Sequence, residues 1–193
     1  MSEGPDFSSL YDRYPQWLDD DSDSSTSDLQ VHVFGPYRGE CEDILKSVTE
    51  YLRQEGYEKA AICSEIPNHG KKGSMSRSEK NWWESVSFMN NADVAVFVFL
   101  EPTAERINMS HAQGLNSSVI AELVFWSHFF ASDKIGTLVL FEGDLYDSMG
   151  SLISGVIEAN GIESQNVPSQ DIDEIKNTVL TNCIQWLWEA QSS

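Results

Sequence analysis

The sequence predicts a three-layer α/β domain: a doubly wound parallel sheet with helices on both faces. Three observations carry this expectation. Residues 93–100 read Asp-Val-Ala-Val-Phe-Val-Phe-Leu, an almost unbroken apolar run, as expected of a strand buried on both faces of a parallel sheet. Strand-like runs alternate with helix-like stretches along the chain, which calls for right-handed βαβ crossovers. Hydrophobic residues make up 40% of the 193, enough for one domain with a full core.

Taken in order, the first 28 residues stand apart. The run from Asp19 to Asp28 is acidic, serine-rich and without apolar anchors, so a disordered tail is expected over 1–28. Within it, Phe7, Leu10, Tyr11, Tyr14, Trp17 and Leu18 recur at near-helical spacing. They fit either a short helix that docks on a partner or on the domain, or an untethered tail.

The folded domain is expected over 29–193. A strand over 29–34 stops at Gly35-Pro36. A helix over 41–55 carries Ile44, Leu45, Val48, Tyr51 and Leu52 on one face and ends at Gly56. A short strand covers 60–63. Ser76-Arg77-Ser78-Glu79 fits a capping box, and Trp82, Val86 and Met89 continue that helix to about Asn91. The strand 93–100 follows. Asn116, Ser117 and Ser118 open a helix with Val119, Leu123, Trp126 and Phe130 inward. A fourth strand spans 136–141, a helix 147–159, and a weak strand 163–167. Asp171 opens the last helix, whose apolar face is Ile172, Ile175, Val179, Cys183 and Trp186. Five strands in this arrangement predict the flavodoxin-like order 2-1-3-4-5, with ligands expected where the loops after the first and third strands meet.

Composition excludes several partners. Lys and Arg total 12 against 31 Asp and Glu, a formal charge of −19. Nucleic acid and anionic membranes both repel such a polyanion, so neither is expected. The acidic residues are spread along the whole chain, which fits adaptation to high salt, where screening suppresses self-repulsion; an ordinary acidic cytosolic protein is the alternative. The three cysteines, Cys41, Cys63 and Cys183, are odd in number and widely spaced, so no disulfide framework or zinc site is expected, and a reducing cytoplasm is the simple inference. The start lacks a basic segment followed by an apolar one, and no apolar stretch is long enough to span a membrane. No cofactor is indicated.

Several residues could carry chemistry. Gly35-Pro36-Tyr37-Arg38-Gly39 ends the first strand. Gly35 permits close backbone approach, Tyr37 could stack on a flat ring, and Arg38 could bind a carboxylate or phosphate; a plain βα turn is the bland alternative. Glu122 lies beside the apolar stripe of its helix, where partial desolvation would raise its pKa; a helix-edge glutamate is the alternative. Lys71, Lys72, Arg77 and Lys80 form the only basic cluster, in a Gly- and Ser-rich loop that reads either as a phosphate-binding lid or as a solvated face. His32, His69, His111 and His128 show no metal spacing. His32 is expected half-buried in its strand, and His111 is a second candidate for proton transfer. Neither GxGxxG nor GxSxG occurs. The six tryptophans read as helix-packing residues.

Three stretches together resemble the nucleoside 2-deoxyribosyltransferase-like superfamily and its relatives, the TIR domains. These are Val31-His32-Val33-Phe34-Gly35-Pro36-Tyr37, the strand from Asn91 to Phe99, and Asn116-Ser117-Ser118-Val119-Ile120-Ala121-Glu122-Leu123. The resemblance implies an enzyme that cleaves the N-glycosidic bond of a nucleoside, nucleotide or NAD-like substrate. Glu122 would be its nucleophile or oxocarbenium stabiliser, with Gly35, Pro36, Tyr37, Arg38, Glu101, Asn116 and Ser118 about the substrate. Transferases of this group carry an aspartate six residues before the glutamate, where Asn116 stands here, and a Gly-Thr where Ser118-Val119 stands. The Ser-rich helix start is more similar to TIR domains. The same residues also fit a non-catalytic nucleotide sensor signalling through the N-terminal segment. A Trp-rich last helix fits a homo-oligomeric interface.

Overall fold

A computed structural model describes residues 28–65, 76–108, 114–149 and 151–192, with residues 26 and 112. The expected tail helix, the loop lysines Lys71 and Lys72, His69 and His111 lie outside the described residues. So do the side chains of Arg77, Glu79 and Lys80, on which the capping box and basic cluster rest.

Five parallel strands form one sheet in the order β2-β1-β3-β4-β5. They are β1 (Val31–Phe34), β2 (Ala61–Ile62), β3 (Val94–Phe99), β4 (Gly136–Glu142) and β5 (Glu163–Val167). The helices are α1 (Glu40–Gln54), α2 (Arg77–Asn91), α3 (Ser117–Phe129), α4 (Leu145–Ser148), α5 (Ser151–Ala159) and α6 (Ile172–Gln191). This is the three-layer, flavodoxin-like arrangement that the alternation of elements predicts.

The period-two geometry of a strand explains the apolar run. In β3, Val94, Val96 and Val98 enter one core, and Ala95, Phe97 and Phe99 enter the other. The first core is covered by α1 and α6, through Ile44, Leu45, Val48 and Leu52, and Ile175, Val179 and Cys183. The second is covered by α2, α3 and α5, through Phe88 and Met89, Leu123 and Trp126, and Ile153 and Ile157. It is aromatic at its centre: Phe97 stacks on Phe34 at 4.8 Å and meets the Trp126 ring edge-on at 6.2 Å. Burying each such ring stabilises the fold by about 2–3 kcal/mol.

The ends of the helices are set locally. At the end of α1, Gly56 takes a left-handed φ of 99° and Tyr57 N–H donates back to the Leu52 carbonyl at 3.0 Å, a turn that lets glycine close the helix without strain. Asp171 accepts from Glu174 N–H at 3.0 Å and caps α6. Two elements differ from the sequence reading. The single helix expected over 147–159 is divided into α4 and α5. At the end of α4, Met149 N–H donates to the Leu145 and Tyr146 carbonyls, and Ser148 Oγ donates to the Leu145 carbonyl. The strand β2 is two residues long because Arg53 Nε takes the Ala60 carbonyl at 2.8 Å, and Cys63–Glu65 tightens into a 3₁₀ turn.

The sheet borders contrast with its centre. Every residue of β1 and β3 is buried, whereas β5 alternates partly buried and exposed positions. Among the described residues, no helix is long and apolar enough to cross a membrane.

Candidate functional site

Glu122 sits in the second turn of α3, which leaves the loop after β3. Val119, Leu123 and Trp126 hold that helix on the sheet, and Glu122 is drawn in beside them until it is 6% exposed. Its partners are few. Ser85 of α2 donates its hydroxyl to Oε1 at 2.9 Å, and Oε2 is buried without a hydrogen-bond partner among the described residues. Burial pushes the carboxyl up to about 7, and the Ser85 bond opposes that rise. The rise follows from desolvation, which penalises the charged form of an acid.

Two further groups share this environment. Tyr37 follows β1, and its hydroxyl donates to the Val33 carbonyl at 3.1 Å and accepts from Cys63 N–H at 3.5 Å. The hydroxyl therefore clips the ends of β1 and β2 together. Burial, then the nearby Glu122 charge, hold Tyr37 well above its ordinary value. The Cys63 thiol is pushed up to about 11 by the same two causes in the same order. Tyr37, Cys63, Ser85 and Glu122 thus form one electrostatic neighbourhood drawn from the segments after β1 and β2 and from α2 and α3.

The other residues expected at the site fall elsewhere. Gly35 is buried against Leu45 of α1, and a Cβ there would stand 2.6 Å from Leu45 Cδ2, so the glycine serves the close approach of helix and strand. Pro36 is buried beside it. Arg38 is exposed and borders a cavity of about 380 Å³ with Gly39, Ala104, Glu105, Arg106 and Ile107. Asn116 bonds Leu100 through both ends of its side-chain amide, accepting from its N–H at 3.2 Å and donating to its carbonyl at 3.0 Å. It pins the start of α3 to the end of β3. Ser118 is exposed on the first turn of α3. Glu101 belongs to a different cluster: its N–H donates to Glu142 Oε2 at 2.7 Å, and its carboxylate accepts from Ser169 Oγ. His32 is more deeply buried than expected, stacked on Phe88 at 3.9 Å with Nδ1 at 2.8 Å from the Phe88 carbonyl, and burial lowers it to about 4.

The sequence reading does not find the cluster around Glu142. Glu142 ends β4 and is fully buried. Arg106, from the loop after β3, meets both its oxygens, with Nη2 at 2.7 Å from Oε1. Gln170 N–H adds a bond to Oε1 at 2.7 Å. The Arg106 carbonyl in turn accepts from Glu40 N–H at 3.2 Å at the start of α1. Gly39 has a φ of 53°, and a Cβ there would collide with that carbonyl, so only glycine lets the two loops meet. The loops after β1 and β3 are therefore fastened together on the α1 side, while Glu122 lies on the α2 and α3 side. Ser85 and Arg106 carry no local signal: each matters through a partner 37 or 36 residues away.

Among the described residues, no group of three or more His, Cys, Asp and Glu side chains could hold a metal. No protein-family model, no curated protein and no solved structure matches the chain.

Proposed function

We propose that this protein cleaves an N-glycosidic bond in a nucleoside, nucleotide or NAD-like substrate, with Glu122 as the catalytic carboxylate. One observation carries the reading: Glu122 Oε2 is buried with no hydrogen-bond partner among the described residues. A carboxylate oxygen left unsatisfied costs about 1–3 kcal/mol or more, and such costs concentrate at functional sites. Once ionised, that oxygen can face a sugar carbon that gains positive charge as the base departs. The C1′–N bond breaks and its electron pair leaves with the base; a base that is neutral in the glycoside takes up the proton that the attacking water gives up, whereas a cationic nicotinamide leaves as the neutral ring and that proton goes to solvent. The Oε2 electron pair bonds or screens C1′ until the oxygen of water replaces it. The sum is N-glycoside plus water giving free sugar and base.

The nucleophile must be ionised, and its pKa is about 7. Base release is therefore expected to rise with pH through about 7. The test is incubation with nucleosides, nucleotides and NAD at high and low salt, because the charge of −19 fits a protein at home in brine. Glu122→Gln keeps the shape and removes the charge, and should lower base release by at least about 10²-fold. Equal rates in wild type and variant would end the proposal.

A second reading is a nucleotide-binding sensor without turnover. Its motive is Asn116, which stands where the resembling transferases have an aspartate and whose amide oxygen and nitrogen each bond Leu100. A nucleotide that raises Tm equally in wild type and Glu122→Gln, with no base released, would favour it.

A further inference from the structure

We infer that Ser85 is the positioning residue of the Glu122 site: its hydroxyl fixes Oε1 and so leaves Oε2 as the oxygen without a donor among the described residues. The inference rests on the proposed glycosidic function for its catalytic meaning, but its geometry stands apart from that reading.

The two oxygens of Glu122 are unlike. Oε1 receives a hydrogen bond of 2.9 Å from Ser85, while Oε2 is buried and receives none from the described residues. A carboxylate with one oxygen anchored keeps a single rotation, and the free oxygen keeps its lone pairs for an incoming group. The surroundings make Ser85 the residue able to do this. Tyr37 packs nearby from the loop after β1, but its hydroxyl proton is directed to the Val33 carbonyl. Cys63 approaches from the turn after β2; its thiol is held neutral by burial and hydrogen-bonds the same Ser85 side chain. Glu84, beside Ser85 on α2, bears on Cys63 as a further negative charge. Among the described residues, no cation is a cause of the Glu122 shift, which comes from burial and is opposed by the Ser85 bond. Ser85 is thus the donor that holds the carboxylate and steadies its charged form.

The orientation also joins two helices from successive crossovers. Ser85 rides on α2 and Glu122 on α3, and both helices are seated in the same core by Val86, Phe88, Val119 and Leu123. Rigid elements carry both partners, so the geometry is set before any ligand arrives.

The experiment follows the Glu122 carboxyl directly by carbon-13 NMR across pH in full-length protein, using Glu122→Gln to assign the signal. Ser85→Ala suits a helix interior and should keep the fold. Losing the donor should move the Glu122 titration midpoint above its wild-type position, and Ser85→Thr, which retains the hydroxyl, should restore it. In the base-release assay the rising limb of the pH profile should shift the same way, with kcat falling more than KM changes. An unchanged midpoint in Ser85→Ala overturns the inference, whether or not base is released. A wild type that releases no base defeats the glycosidic reading instead, and the titration still decides the role of Ser85.

Discussion

Glu122 and Glu142 are both buried glutamates, and they have been treated in opposite ways. Glu142 accepts two bonds from Arg106 and one each from Glu101 N–H and Gln170 N–H. Among the described residues, Glu122 accepts one bond, from Ser85, and keeps one oxygen orphaned. A buried charge with its lone pairs filled by a cation and backbone donors is a structural rivet. A buried carboxylate without a cation is a cost, and a fold retains it where the group is used. Burial alone does not distinguish them; the inventory of donors does.

The largest effect should come from the Glu142 side. Arg106→Leu strands a fully buried carboxylate, and urea unfolding should show a loss of about 3–5 kcal/mol. A loss under about 1 kcal/mol would mean that the bidentate pair is ornamental and the contrast false.

Glu122→Gln should act with the opposite sign. Because burial raises its pKa, the folded state holds the Glu122 proton more tightly than the unfolded chain does. That contribution is complete below the ordinary value of 4.5 and is lost as pH rises through about 7. The variant, neutral at every pH, should match wild type near the acidic end and exceed it by about 1–3 kcal/mol in mildly alkaline buffer. Parallel stability curves for the two proteins would show that Glu122 is solvated after all.

Smaller effects sharpen the comparison at its margins. Asn116→Ala removes two bonds to Leu100 at the start of the helix that carries Glu122, and should cost about 1–3 kcal/mol by thermal unfolding. If Asn116 belongs to substrate instead, the loss will appear in KM with stability intact. Asp171→Ala uncaps α6 next to the Gln170 strut of Glu142 and should cost about 1 kcal/mol. No change in Tm would show that the strut, rather than the cap, holds that helix end.

The fold was legible because its signals are local. The run 93–100 alternates between two cores, so it is apolar throughout, and the helix stripes at Ile44–Leu52 and Ile175–Trp186 repeat at helical spacing. Helix breaks were harder. The division after Ser148 leaves the apolar pattern untouched. The site was legible in part. Glu122 stood out because an acid beside an apolar stripe breaks periodicity. Its anchor did not, since Ser85 is an unremarkable polar position on another helix. Arg106 and Glu142 were invisible for the same reason: one lies in a loop and the other ends an apolar strand, and only the topology brings them together. Asn116 shows the converse, a polar residue at a suggestive place whose amide is already committed to the backbone.

The borders of the sheet have a consequence for how the protein behaves in a crowd. One margin is two residues long, and the other carries Glu163, Ser164, Gln165 and Asn166 along its length. Neither offers a long, flat, greasy ribbon on which a neighbouring chain could template itself. Fibre growth by strand addition should therefore be slow even at high concentration, when salt screens the repulsion between these polyanions.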